Sequence, residues 1–314
     1  MILCPKCSFK SGETTTCPKC GLIYEKYMSR LARDTELTSS SGIKEESPYK
    51  EPTLDGRLIP FDSFNLNVFS LPAAFTFAFF CHYFDFLYVI CHYFFSIPIH
   101  ELGHAVLSWL CSRWAIPISV FIPMAAFTTL SPSSSLPLFL IFVGLLGYVM
   151  YLGIQRNRKF LVAWAGILIC ALIYCTFILS PQNQYCLQVF GGIFGEFAIS
   201  TVFIAGFYYR ISNRFRWDFV RFLFLIPGSF TFLNAYSDWL KISHFKIGLP
   251  SGSFLNGSGD SNGDIDRLLH DFGWNVVQVI HTYLNTAKIC LCIIILHYLT
   301  FAYLAFQSKS KNSR

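Results

Sequence analysis

The chain changes character near residue 64. Before that point polar and charged positions dominate, and beyond it long apolar runs are separated by short polar breaks. A membrane-spanning helix needs about 20 apolar residues, and 135–154, 160–180, 188–208, 218–236 and 288–306 each meet that length. Upstream, 66–112 is almost continuously apolar, broken by Pro72, Asp85 and Pro98. That pattern predicts two helical pieces, the second running from about Pro98 to Ser112. Residues 114–130 carry Pro117 and Pro123 with β-branched residues between them. They suit a third span, a re-entrant element or a membrane-edge hairpin. Residues 28–62, with Ser39-Ser40-Ser41-Gly42, Pro48, Pro52 and Pro60, read as a flexible polar linker that buries too little to fold alone.

Composition sharpens this picture. Of 314 residues 54% are hydrophobic and only 13% charged, about half the charge of a soluble domain. An ordinary soluble enzyme is excluded. The abundant Phe and Tyr suit lipid-facing bulk and interfacial belts. The net charge of +6 is modest, and much of it sits between apolar runs. Three basic clusters, Arg156/Arg158/Lys159, Arg210/Arg214/Arg216/Arg221 and Lys309/Lys311/Arg314, all suit the cytoplasmic side. The uncharged 181–187 connection suits the opposite side. The opening around Cys4, Lys6 and Cys7 lacks the pattern of a cleavable signal peptide, so the first span is expected to direct insertion.

Four of the 12 cysteines form two identical knuckles, Cys4-Pro-Lys-Cys7 and Cys17-Pro-Lys-Cys20. Each tight turn presents two thiolates, and two such turns make the sulfur cage structural zinc prefers. The pattern resembles a zinc ribbon; two disulfides are the alternative. With few apolar residues nearby, the metal would supply the folding energy. That needs reduced thiols, hence a cytoplasmic head. No dense basic-aromatic surface argues for nucleic acid, so a protein is the partner considered for the ribbon. The expected fold class is an all-α polytopic membrane protein of six to eight transmembrane helices with a small N-terminal zinc-ribbon head. Its parts are the ribbon (1–27), the linker (28–62), a multi-span membrane domain (63–308) and a basic tail (309–314). The expected location is a bacterial inner (cytoplasmic) membrane, with the bilayer itself as one partner.

The candidate chemistry lies in His100-Glu101-Leu102-Gly103-His104. On a helix, positions i and i+4 share a face, so both imidazoles reach one zinc ion and Glu101 stands beside them as general base. Zinc lowers the pKa of bound water to about 7. Ionisable groups inside an apolar run cost about 2.5 kcal/mol or more each, so they call for a metal, a partner or water.

The segment from Pro98 to Ala105 resembles the metal-binding helix of the site-2 protease family of intramembrane zinc metallopeptidases. The resemblance implies His100 and His104 as zinc ligands, Glu101 as catalytic base, a downstream aspartate as third ligand, and a membrane-protein or peptide substrate. The family's Asn-Pro…Leu-Asp-Gly pattern is absent after His104; Leu54-Asp55-Gly56 lies upstream in the linker. Leu110 stands where the elongated motif of soluble proteases has a third histidine.

For the third ligand, the Gly/Asn/Asp-rich segment 256–267 stands out. Its glycines allow close backbone approach, and Asp264 is placed to cap a helical run over 265–271. Asp264 is favoured, with Asp260, Asp238 and Glu196 as alternatives; a plain solvated turn or a calcium loop are the other readings of the segment. Glu196 also suits a partner of a zinc-bound histidine, or a bond to a neighbouring helix beside the close-packing Gly191 and Gly195. His82, Asp85 and His92 read as packed polar residues or as support for the centre. Two zinc ions are expected, one catalytic and one structural. A non-catalytic zinc-binding membrane scaffold or regulatory protein, or a metal transporter, are the rival functions.

Overall fold

The computed structural model describes residues 2–3, 10–11, 15–18, 20, 23–26, 29, 64–120, 125–131, 133–209, 218–250, 252 and 263–312. The chain divides into two compact units, Met1–Asp55 and Gly56–Arg314.

In the first unit β1 (Ile2–Leu3) pairs antiparallel with β2 (Lys10–Ser11), bracketing Cys4 and Cys7 in sequence. A bridge between Thr16 and Ile23 brackets Cys17, which is buried, and the half-buried Cys20. Cys4 and Cys7 lie outside the described residues, as does nearly all of the 28–62 linker.

The second unit is mostly helical. It opens with α1 (Phe64–Cys81), a turn over 82–84 and α2 (Asp85–Cys91). One wide turn, His92–Ser96, then leads directly into α3 (Ile97–Leu110), the amide of Ile97 bonding back to the carbonyl of His92. Pro98 explains the widening. It offers no N–H to the carbonyl one turn earlier and its ring would strike that group, so the preceding turn takes up the mismatch. The same problem at Pro72, inside α1, has another remedy. The carbonyl it leaves unpaired, that of Val68, accepts a hydrogen bond from the Tyr298 hydroxyl at 3.0 Å.

The described parts of 114–130 pair as in a hairpin, one of the three outcomes the prolines permitted. β3 (Ala115–Val120) pairs antiparallel with β4 (Ala125–Leu130), from Ala115 opposite Leu130 to Val120 opposite Ala125. Then follow α4 (Leu136–Gln155), α5 (Lys159–Ile173) with a wide last turn Tyr174–Ile178, α6 (Pro181–Gly206), α7 (Phe222–Ser243), α8 (Asp264–His270) and α9 (Val276–Asn312). Helix starts depart from the apolar windows where caps intervene. Ser180 caps Asn183 with Pro181 in the first turn, so α6 begins before its apolar stretch. Asn275 caps Gln278 at 2.7 Å and starts α9 early.

Among the described residues five helical segments are long and apolar enough to cross a membrane: Phe64–Cys81, Leu136–Gln155, Lys159–Ile178, Pro181–Gly206 and Val276–Gln307. α7 falls short because Ser, Thr, Asn, Asp and Lys interrupt it. The core is made by α6, α7 and α9 with α1, around Val189, Phe197, Phe232, Trp239, Tyr283 and Ile294. α4 and α5 instead expose Leu140, Leu145, Tyr148, Phe160, Trp164 and Ile167, an apolar surface too extensive for water and suited to lipid. Five is fewer than the expected six to eight: among the described residues only these segments qualify by length and composition, and α7 and the α2–α3 run are polar-containing elements packed beside them.

Where α3 ends, the buried Arg113 is held by a neutral group. Its Nε and Nη2 donate to Gln184 Oε1 at 3.1 and 2.9 Å. Gln184 Nε2 in turn donates to the carbonyls of Cys175, Thr176 and Leu179 at the end of α5. Gln184→Leu leaves a buried guanidinium and helix-end carbonyls without partners. It is expected to cost about 2–3 kcal/mol, read as a lower denaturation midpoint in detergent; an unchanged midpoint would refute the arrangement.

Candidate metal centre

α3 and α6 approach each other through glycine. A Cβ on Gly191 would lie 2.9 Å from the carbonyl oxygen of Gly103, and one on Gly103 would lie 2.8 Å from Cα of Gly195. No larger residue permits this separation. The approach lays the His100 and His104 rings against α6, with Gly192 beneath both Nε2 atoms.

The two imidazoles lie one helical turn apart, ring centroids 4.9 Å from each other. Their Nε2 atoms are 3.2 Å apart, and Asp264 Oδ2 stands 3.0 Å from each. The Nδ1 atoms point outward. His100 Nδ1 meets Glu196 Oε1 at 2.8 Å and His104 Nδ1 meets the Gln188 carbonyl at 2.7 Å. A carboxylate and a carbonyl only accept, so both Nδ1 atoms carry the proton and both neutral rings present an Nε2 lone pair inward. Three acceptors thus converge on one point, which needs a positive charge, an ion or a ring proton, to be tolerated. Bonds of about 2.0–2.1 Å at tetrahedral angles put ligand atoms about 3.3 Å apart, close to the spacing here. Burial alone would raise the Asp264 carboxyl; where a ring proton supplies that positive charge, the charge of His104 and the Nε2–H bonds outweigh burial and hold Asp264 below the usual carboxylate range.

Asp264 reaches this position as the first residue of α8. It does not cap that helix; Gly263 precedes it and no side-chain cap is formed. Asp266 ties α8 to Gly252, its Oδ2 accepting from the Gly252 amide at 2.7 Å. α8 is tied to α6 by Arg267, which donates to the Tyr185 hydroxyl at 3.2 Å. Asp260 lies outside the described residues. Asp238 faces elsewhere on α7 and pairs with Lys241 at 2.9 Å, so it joins no ligand cluster. His92 stacks on Tyr88 and lies beside Asn234 at 3.5 Å, and His82 meets the same Tyr88 ring at a tilt. Asp85 is the first residue of α2.

Glu101 is buried and held by the hairpin. The Thr128 hydroxyl lies 2.6 Å from Glu101 Oε2 and 3.0 Å from its main-chain oxygen. One carboxylate oxygen is thus engaged by β4 and the other keeps its acceptor capacity. Nothing in the local sequence announced Thr128 or the Gln188 carbonyl; both meet the motif across long separations in the chain.

Among the described residues His100, His104 and Asp264 are the only group of His, Cys, Asp or Glu arranged to share an ion. Two nitrogens and one oxygen form a donor set that could hold a divalent ion with a further coordination position left open. Comparison with protein-family models, with curated proteins and with solved structures finds no match to this chain.

Proposed function

We propose that this chain is an intramembrane zinc metallopeptidase, similar to the site-2 proteases, that hydrolyses peptide bonds in membrane-embedded or membrane-proximal segments. The observation that carries the reading is the convergence of His100 Nε2, His104 Nε2 and Asp264 Oδ2 within 3.2 Å of one another, next to a glutamate, in an apolar helical unit. His100, His104 and Asp264 would hold zinc, which would supply Lewis acidity toward water and a peptide carbonyl. The chain's own residues do the rest. Glu101 takes the proton of the attacking water and returns it to the leaving nitrogen. Thr128 occupies one Glu101 oxygen and so orients the other. The Gln188 carbonyl, on α6, keeps the His104 imidazole turned inward.

The N-terminal cysteines fit a second, structural zinc, since paired backbone positions flank each knuckle. The reduced thiols a ribbon needs support a cytoplasmic head, and the basic residues support a cytoplasmic Arg156–Lys159 turn, in a bacterial cytoplasmic membrane on this reading. A non-catalytic scaffold draws on the same cluster, because one ion would tie α3 to α8; the role of Glu101 separates the two.

Metal content of the purified chain tests the assignment. Wild type is expected to hold two zinc ions, and His104→Ala and Asp264→Ala one each. Full zinc in Asp264→Ala would move the third ligand elsewhere, and wild type holding only the ribbon ion would end the proposal.

A further inference from the structure

The two histidines are oriented by different means. His104 donates to a main-chain carbonyl, which α6 supplies whatever its side chains. His100 depends on one side chain, Glu196, whose Oε1 lies 2.8 Å from Nδ1. Glu196 is 16% exposed on its side chain and stands outside the converging ligand set. A carboxylate in such a place needs a reason to be tolerated.

Charge provides one. Among the groups that touch the two imidazoles, Asp264 and Glu196 are the carboxylates. Together they match the double charge of one divalent ion. With Asp264 alone the loaded cluster would keep a net positive charge in surroundings that solvate charge poorly. Loss of Glu196 would therefore remove both an orienting acceptor and a counter-charge.

Resting on the metal-centre reading, we propose that Glu196 is a positioning residue for the metal. It accepts the Nδ1 proton of His100, fixes the tautomer whose Nε2 faces Asp264 and His104, and balances the charge of the bound ion. Asp264 binds and Glu196 aims.

The test is a titration of the full-length, metal-stripped chain in detergent with Co2+, followed by absorption. The signal lost in His104→Ala isolates this centre from the ribbon. Glu196→Gln keeps an acceptor for Nδ1 but loses the charge, and is expected to weaken binding about 10-fold; Glu196→Leu loses both, and is expected to weaken it about 100-fold. Unfolding midpoints of the metal-stripped proteins are expected to match between wild type and Glu196→Gln, which a purely structural role would not predict. Wild-type affinity in Glu196→Gln overturns the counter-charge, and wild-type affinity in Glu196→Leu overturns the whole role. A wild type without any His104-dependent signal instead defeats the underlying metal assignment, a result distinguishable from either.

Discussion

Glu101→Gln is expected to lower peptide hydrolysis by about 1,000-fold while leaving zinc content at the wild-type level. The amide is nearly the same size as the carboxylate, and its oxygen still accepts from Thr128, so the hairpin contact at 2.6 Å survives. It cannot take a proton from water. General-base assistance is worth about 100- to 10,000-fold, and here the group is buried against β4, so bulk water supplies no ready substitute. Glu101 is not among the atoms that converge on the ion's position, which is why binding and turnover should part company. The measurement is cleavage of a reporter peptide carrying an apolar span, in detergent, beside metal analysis of the same samples. Equal turnover in both proteins would leave only a zinc-bearing scaffold. Loss of zinc along with activity would make Glu101 a structural element of the centre instead of its base.

How much of this was legible in the sequence depends on how local each cause is. The spacing of His100 and His104 encodes a shared helix face directly, and the apolar runs encode helices because bilayer thickness sets their length. Helix starts were less legible, since Ser180 and Asn275 act through single hydrogen bonds that an apolarity window does not register. The 114–130 segment was legible only as a set of alternatives; pairing of Ala115 with Leu130 decided for the hairpin. Asp264 was favoured for its glycine-rich bend and for capping, yet its carboxylate turns to the imidazoles and caps nothing. Asp238 could have been set aside from sequence, because Lys241 lies three positions on along the same helix face. Thr128 and Gln188 could not have been found that way. Their contacts join positions 27 and 84 residues apart, and no periodicity carries such information.

Gly192→Ala is expected to empty the centre without altering any ligand. Gly191 and Gly195 already stand out as the close-packing pair of α6, but Gly192 points differently. A Cβ there would lie 2.6 Å from His104 Nε2 and closer still to His100 Nε2, directly against the two converging nitrogens. Relief by retreat of α6 is blocked, because Gly191 and Gly195 hold its backbone against that of α3. The rings must therefore turn, which breaks their bonds to Gln188 and Glu196 and misdirects Nε2. Overpacking of this kind costs about 1–3 kcal/mol, and misoriented ligands lower affinity by about 10- to 100-fold; the upper end is expected, since both rings are struck at once. Zinc should fall from two ions to the one held by the ribbon. Gly144→Ala and Gly147→Ala supply the contrast, for a Cβ at either position meets nothing within 4 Å. Within a helix those changes should be neutral or slightly stabilising. Full zinc in Gly192→Ala would mean that the imidazoles do not face one another across this glycine, and the convergence on which the metal centre rests would be lost.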